Sequence, residues 1–427
     1  MTTTPGRLVL AGATAPGGGA LEVAVDPVAA AIVEIGPTVS RVPGDTVRDC
    51  SGLVVLPAGA DPHAHLDKAL SGGVAPNPGG DLLGAVAAWH AYWPRLTHED
   101  LVARATAAVE QMVMAGTTAI RSHVDVGIGV GLTAVRALLE VRDDVHARGL
   151  ADVQLVALVS VPLSGDAGRD HRRLLEEAIG LGVDVGGGCP HLDPDPGACT
   201  AIAVGAAERA GLPVDLHSDE TLDPSVLHVR ELARVTAERG LGGRVTASHC
   251  VSLGMQPADV QAEVAAVLAA AGVAVVVLPQ TNLYLQARGL TTAPPRGLTA
   301  VRALLDAGVT VAAGADNVRD PFCSMGRMDP LETAALLVMT AHVSPEVGWE
   351  ACSAGGRRVL GLRPVRLEVG SPAELLLVEG ASLTDAMAGA GARRVVVHAG
   401  HVVAATEVQR HLHPRVGAPA GGSVGTP

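Results

Sequence analysis

The chain has 427 residues, a hydrophobic fraction of 48% and a formal net charge of -13, long enough for an α/β barrel of roughly 250 residues plus a smaller companion. The acidic balance repels phosphate backbones and anionic headgroups, which argues against nucleic acid and membrane as partners, and no apolar run reaches the ~20 residues of a membrane span. The amino terminus lacks the regions of a secretory signal and the six cysteines form no CxxC pair, so a cytoplasmic protein with reduced thiols is expected.

Residues 1–56 read as short strands separated by Gly and Pro (RLVLAG, ALEVAV, AAIVEIG) without helix-length periodicity, the amino-terminal part of a small β domain. From 57 to 363 short β-type runs alternate with segments of helical period such as LVARATAAVEQMVMAG, the pattern of parallel strands with crossover helices. Eight such runs are visible, at 54–59, 119–126, 153–161, 184–190, 213–218, 244–249, 273–279 and 309–315. Eight strands close a barrel, so an α/β fold of the (β/α)8 TIM-barrel type is expected. Residues 364–405 return to β-type runs and are expected to complete a small β-sandwich domain formed from both chain ends. Residues 406–427, rich in Pro and Gly, read as a disordered tail.

Titratable residues collect at the carboxyl ends of the expected strands, where barrel enzymes place their active sites. Asp61-Pro-His63-Ala-His65-Leu-Asp67-Lys68 follows the first run, and a spacing of two on extended chain turns both imidazoles to one side. An HxH pair alone is equally at home on a hydrogen-bonded surface. Here the fifth run ends in Asp215-Leu-His217-Ser-Asp219-Glu220, the sixth in Ser248-His249-Cys250 and the eighth in Gly314-Ala-Asp316-Asn317. His63, His65, His217 and Asp316 together supply the protein ligands of a catalytic site for one divalent ion, Zn or Fe, with a position left for water.

With PHAHLDK, AIRSHVDV, GGCPHL, DLHSDE, VTASH, the run from Asn282 to Arg288 and GADNVRDPF in this order, the chain resembles the cytosine deaminase branch of the metal-dependent amidohydrolase superfamily, from the β module to about residue 405. The resemblance implies the same four ligands. It also implies a mechanism in which the metal lowers the pKa of its water toward neutrality, Asp316 accepts the water's proton, His249 orients the resulting hydroxide and Glu220 protonates the ring nitrogen and later the departing ammonia. Many binuclear relatives carry a bridging lysine at the end of the fourth strand; the only Lys in this chain is Lys68, so a single metal is expected.

The expected function is hydrolytic deamination of a small nitrogen heterocycle, a cyclic amidine or aminated azine. The alternatives are hydrolysis of a ring or side-chain amide or of an alkylamino-triazine C–N bond, and a non-catalytic metal-binding relative. Cytosine itself is not the expected substrate, because those deaminases read the pyrimidine with a glutamine just after the proline of the third strand, where this chain has Leu163, and have an aspartate where it has Asn317. Lys68, Leu163, His191, Tyr284, Asn317 and Phe322 are the candidate substrate contacts, Phe322 as a stacking face. His123 and Asp125 are expected behind the ligands, and Cys250 and Cys323 in packing roles. The expected partner is a small heterocycle, and association with further copies of the chain stays open.

Overall fold

The computed structural model describes residues 6–413. The first strands, β1 (Leu8–Thr14), β2 (Ala20–Asp26), β3 (Ala31–Gly36), β4 (Thr46–Asp49) and β5 (Leu53–Pro57), are followed by β6 (Gly59–Ala64). The run at 54–59, expected as the first barrel strand, divides between the last two: β5 pairs antiparallel with a strand from the carboxyl-terminal part of the chain, and β6 opens the barrel. The physical reason lies in the burial of β5. Leu53 and Val55 enter one core while Val54 and Leu56 enter the barrel core, and a strand buried on both faces reads as an unbroken apolar run like a barrel strand.

Seven further strands complete the barrel: β7 (Thr117–Val126), β8 (Asp152–Val159), β9 (Val185–Gly188), β10 (Val214–Ser218), β11 (Val245–His249), β12 (Val273–Val277) and β13 (Val311–Ala313). Neighbours pair in sequence order, all parallel, and a parallel bridge between Ala64 and Asp316 closes the circle. The Gly-rich β9 is explained by packing. A Cβ at Gly186 would lie 2.7 Å from the Cβ of Ala207 and one at Gly187 2.5 Å from Val156 Cγ1, so the helix Pro196–Arg209 and the neighbouring strand leave no room for side chains.

After the barrel come β14 (Leu375–Glu379), β15 (Arg394–His398) and β16 (His401–Thr406). Both chain ends share one connected mixed sheet of eight strands, ordered β16-β15-β14-β5-β1-β2-β3 with β4 on β1. Its alternation is regular: Leu375, Leu377, Val395 and Val397 join the core of this companion domain, whereas Leu376, Val378 and Val396 join the barrel core. The sheet is thus cemented to the barrel through a shared apolar layer. Thr406, expected in the tail, belongs to β16; residues 407–413 are exposed and carry no strand or helix, and the rest of the expected tail lies outside the described residues. Among the described residues no helix is long and apolar enough to cross a membrane.

Candidate metal centre and active site

The barrel seam positions the first candidate ligands. Asp316 N–H donates to the His63 carbonyl at 2.9 Å, and the buried Asp61 carboxyl accepts from the backbone N–H of both His63 and Ala315, each at 3.0 Å. Asp61 therefore staples β6 to the segment that carries Asp316, and burial pushes its pKa up to about 7. His249 and Asp316 both adopt left-handed backbone, with φ of 71° and 61°. Such a conformation costs ~1–3 kcal/mol in a non-glycine residue and tends to persist at functional sites; here it lies where each chain segment leaves the sheet.

At the centre, Asp316 Oδ1 stands 3.2 Å from His65 Nε2 and 3.6 Å from His63 Nε2. His217 Nε2 is 3.3 Å from His65 Nε2. The edge of a tetrahedron around an ion with bonds of ~2.0–2.1 Å is about 3.3–3.4 Å, so these separations suit one small divalent cation. His63 Nε2 and both carboxylate oxygens of Asp316 are buried without a hydrogen-bond partner, a cost of ~1–3 kcal/mol each that a cation in their midst would remove. Burial, reinforced by neighbouring imidazoles, lowers the pKa of His63 and His217 well below the ordinary value, leaving neutral rings with lone pairs to offer. Burial alone would raise Asp316, but contact with His65 and the fields of His249 and His65 outweigh it and keep a carboxylate. The residues fit a metal.

Glu220 and His249 face the same point. Glu220 is buried, with Oε1 3.6 Å from His249 Nδ1. Burial, then the charge of Asp316, raises its carboxyl well above the usual range. His249 Nδ1 donates to Asn282 Oδ1 at 3.2 Å, which turns a lone pair on the buried, unpartnered Nε2 inward.

A cavity of about 160 Å³ opens above these groups, lined by His65, His217, Glu220, His249 and Asp316 and walled by Leu82, Val86, Trp89, Trp93, Leu158, Val161, Leu192 and Phe322. Of the substrate-contact candidates, Lys68, Asn317 and Phe322 line it. Lys68 is buried, 2.9 Å from Asp125 and 3.2 Å from His65 Nδ1, and Asp125 in turn accepts from Trp89 Nε1 at 2.7 Å. Asn317 Nδ2 donates to Asp320 at 2.8 Å.

Three candidates lie outside this lining. Leu163 is fully buried in the barrel core and absent from the cavity wall, because its N–H is tied to Asp193 Oδ2 at 2.6 Å; Ser160 and Val161 occupy the wall instead. His191 donates from Nδ1 to the His217 carbonyl of β10 at 3.1 Å and lies outside the lining. Tyr284 lies on the helix Pro279–Leu285 rather than a loop; its hydroxyl accepts from Ser324 at 2.9 Å, outside the cavity lining. His123 is buried with its ring stacked 3.8 Å from that of His63, and Cys250 and Cys323 are buried.

Among the wall residues that the sequence did not single out are Trp89 and Trp93, at the helix that follows β6. A signal for them existed: with three Trp, two Tyr and one Phe in the whole chain, the surviving aromatics are themselves conspicuous, and half of them meet at this cavity.

The profile of the amidohydrolase family matches residues 80–404. The chain belongs to the amidohydrolase family. It is 32% identical over 360 residues to a pterin deaminase of Rhizobium rhizogenes, covering 82% of this chain and 80% of that protein. Among solved structures, a 5-methylcytosine deaminase from Klebsiella pneumoniae liganded with 5-fluorocytosine superposes with a TM-score of 0.84 at 26% identity, covering 96% of this chain and 99% of the other. An N-isopropylammelide isopropylaminohydrolase from Burkholderia multivorans gives a TM-score of 0.80 at 29% identity, with 94% and 98% covered. The likeness to cytosine deaminase-type amidohydrolases expected from the motifs is therefore found along nearly the whole chain, and the protein is a hydrolase acting on C–N bonds other than peptide bonds.

Proposed function

We propose that this amidohydrolase binds one divalent metal ion and deaminates a fused-ring amino-oxo heterocycle of the pterin class, releasing ammonia. The observation that carries the reading is the buried cluster of His63, His65, His217 and Asp316 with the buried Glu220 carboxyl, its pKa pushed well above the usual range, beside it. Support for the substrate class comes from the similarity to a pterin deaminase and from the aromatic and aliphatic wall, which suits a flat two-ring system better than a small polar pyrimidine. Among the described residues the one carboxamide in the wall is Asn317, whose Nδ2 donates one of its hydrogens to Asp320.

A divalent ion held by these ligands would acidify water and so supply a nucleophile at neutral pH. Asp316 takes the proton from the water, and the inward lone pair of His249 Nε2 holds the water's remaining hydrogen and aims its oxygen. Glu220 gives its proton to the ring nitrogen beside the amino-bearing carbon, which prevents negative charge from building up there. The C–O bond forms; Glu220, now a carboxylate, takes the hydrogen left on the new hydroxyl and relays it to the departing amino group as the C–NH2 bond breaks, and the proton held by Asp316 returns to Glu220 to close the cycle. Over the cycle the ring nitrogen and ammonia thus gain one hydrogen each, matching the two of water. Trp89, Trp93 and Phe322 keep bulk water away.

The alternative is hydrolysis of an alkylamino-triazine, favoured by the structural match to the isopropylammelide hydrolase and by a wall that would accept an alkyl group. Incubation of the purified protein with pterin and, separately, with N-isopropylammelide decides between them. Stoichiometric ammonia from pterin supports the proposal; isopropylamine from the triazine with no turnover of pterin overturns it.

A further inference from the structure

Behind the ligand cluster runs a chain of buried hydrogen bonds that crosses the barrel. Arg121, on β7, donates from Nη1 to Asp215 Oδ2 at 3.0 Å. Asp215 Oδ1 accepts from Ser248 Oγ at 2.8 Å, and Ser248 Oγ lies 2.9 Å from His63 Nδ1. All four side chains are buried. Arg121 is itself locked, by Gln154 Oε1 at 3.0 Å and the Val359 carbonyl at 2.9 Å, and the ring of His123 covers one face of His63.

The direction of each bond follows from what the groups can do. A guanidinium only donates, so the Asp215 oxygen facing it accepts. Ser248 has one hydroxyl hydrogen. If that hydrogen pointed at His63, two oxygen acceptors would face each other at 2.8 Å; it therefore goes to Asp215. The serine oxygen must then accept from His63, which places the hydrogen of that ring on Nδ1 and leaves Nε2 with a bare lone pair. His65 and His217 have no such relay: the Nδ1 of His65 meets Lys68 and that of His217 meets no partner.

We propose that Arg121, Asp215 and Ser248 are positioning residues that fix the tautomer of His63 and thereby present its Nε2 to the metal position. The inference rests on the metal reading above and adds a direction to it. Removing the serine hydroxyl leaves His63 free to choose between tautomers. Asp215→Asn does more, because Arg121 attracts the amide oxygen and turns the amide NH2 toward Ser248. The serine then donates to His63 Nδ1, and the ring presents Nε2–H where a lone pair is needed. The harm is undone by also removing the serine.

The test measures zinc affinity by chelator competition on the full chain, with thermal unfolding of the metal-free proteins as a check of folding. Ser248→Ala should weaken binding by about 10–100-fold, the usual range for partners behind a ligand histidine, and Ser248→Thr should stay within about threefold of the parent because the hydroxyl is kept. Asp215→Asn should bind more weakly than Ser248→Ala, and the double variant should bind more tightly than Asp215→Asn alone. Parent-like affinity in Ser248→Ala, or a double variant weaker than Asp215→Asn, overturns the relay while leaving the metal reading standing. Should Asp215→Asn fail to fold, the contrast between the alanine and threonine variants decides alone. A parent that binds no zinc overturns the metal reading and the relay with it.

Discussion

Glu220→Gln separates the chemistry from the scaffold. The carboxyl is buried, meets no cation within hydrogen-bond distance, and burial and the charge of Asp316 push its pKa well above the usual range, which favours the uncharged form. The amide has nearly the same shape and no charge, so folding and metal content should be preserved. What disappears is a transferable proton. General acid catalysis contributes about 10²–10⁴-fold, which at 1.36 kcal/mol per decade is ~2.7–5.4 kcal/mol of barrier. Steady-state ammonia release from pterin should therefore show kcat reduced by about two to four decades with KM little changed, while elemental analysis and the melting temperature match the parent. A variant with near-parental kcat would refute the assignment of Glu220 as the acid.

Three further outcomes are expected. Elemental analysis should find one divalent metal per chain, and His217→Ala should lose both metal and turnover; two metals per chain, both needed for activity, would contradict the single-ion reading. Leu163→Gln should destabilise the protein by ~1–3 kcal/mol in urea unfolding, because it buries an amide without partners, and should give no relative gain for cytosine, since residue 163 lies outside the cavity wall; a gain would place it against the ligand. In the companion domain, burial alone would lower the pKa of His398, but its bond to Glu374 at 2.8 Å outweighs this and raises it. That contribution to stability is fully present below the unfolded value of ~6.5 and is lost as pH rises through the raised native value. The melting temperature of the parent should therefore fall toward that of Glu374→Gln as pH rises above neutrality, and a gap that widens instead would show that His398 is not the proton carrier.

The clustering of the candidate ligands was legible because such chemistry demands few residue types at fixed places. His63 and His65 at a spacing of two, His217 and Asp316 could be placed by counting strands, and an error in the first strand did not disturb them. That error had a physical source: β5 is buried on both faces between two cores, and a single strand's pattern does not say which sheet it joins. The wall of the cavity was less legible. Leu163 was judged by its neighbour in sequence, but the bond between its N–H and Asp193 turns it into the core, a contact between distant segments. Trp89 and Trp93 sit on an inserted helix whose packing is set by the barrel mouth. The relay behind His63 joins β6, β7, β10 and β11, and the pairing of Ser248 with Asp215 across two strands appears only when the barrel is closed.

The most direct test of the account is to incubate the metal-loaded protein with pterin in ¹⁸O-labelled water and to measure ammonia and the product's mass together. Hydrolytic deamination predicts one ammonia for each product molecule and one ¹⁸O at the carbon that carried the amino group, with both signals lost when a chelator removes the metal. Product formed without ammonia or without the label, or at full rate after the metal is removed, would contradict it.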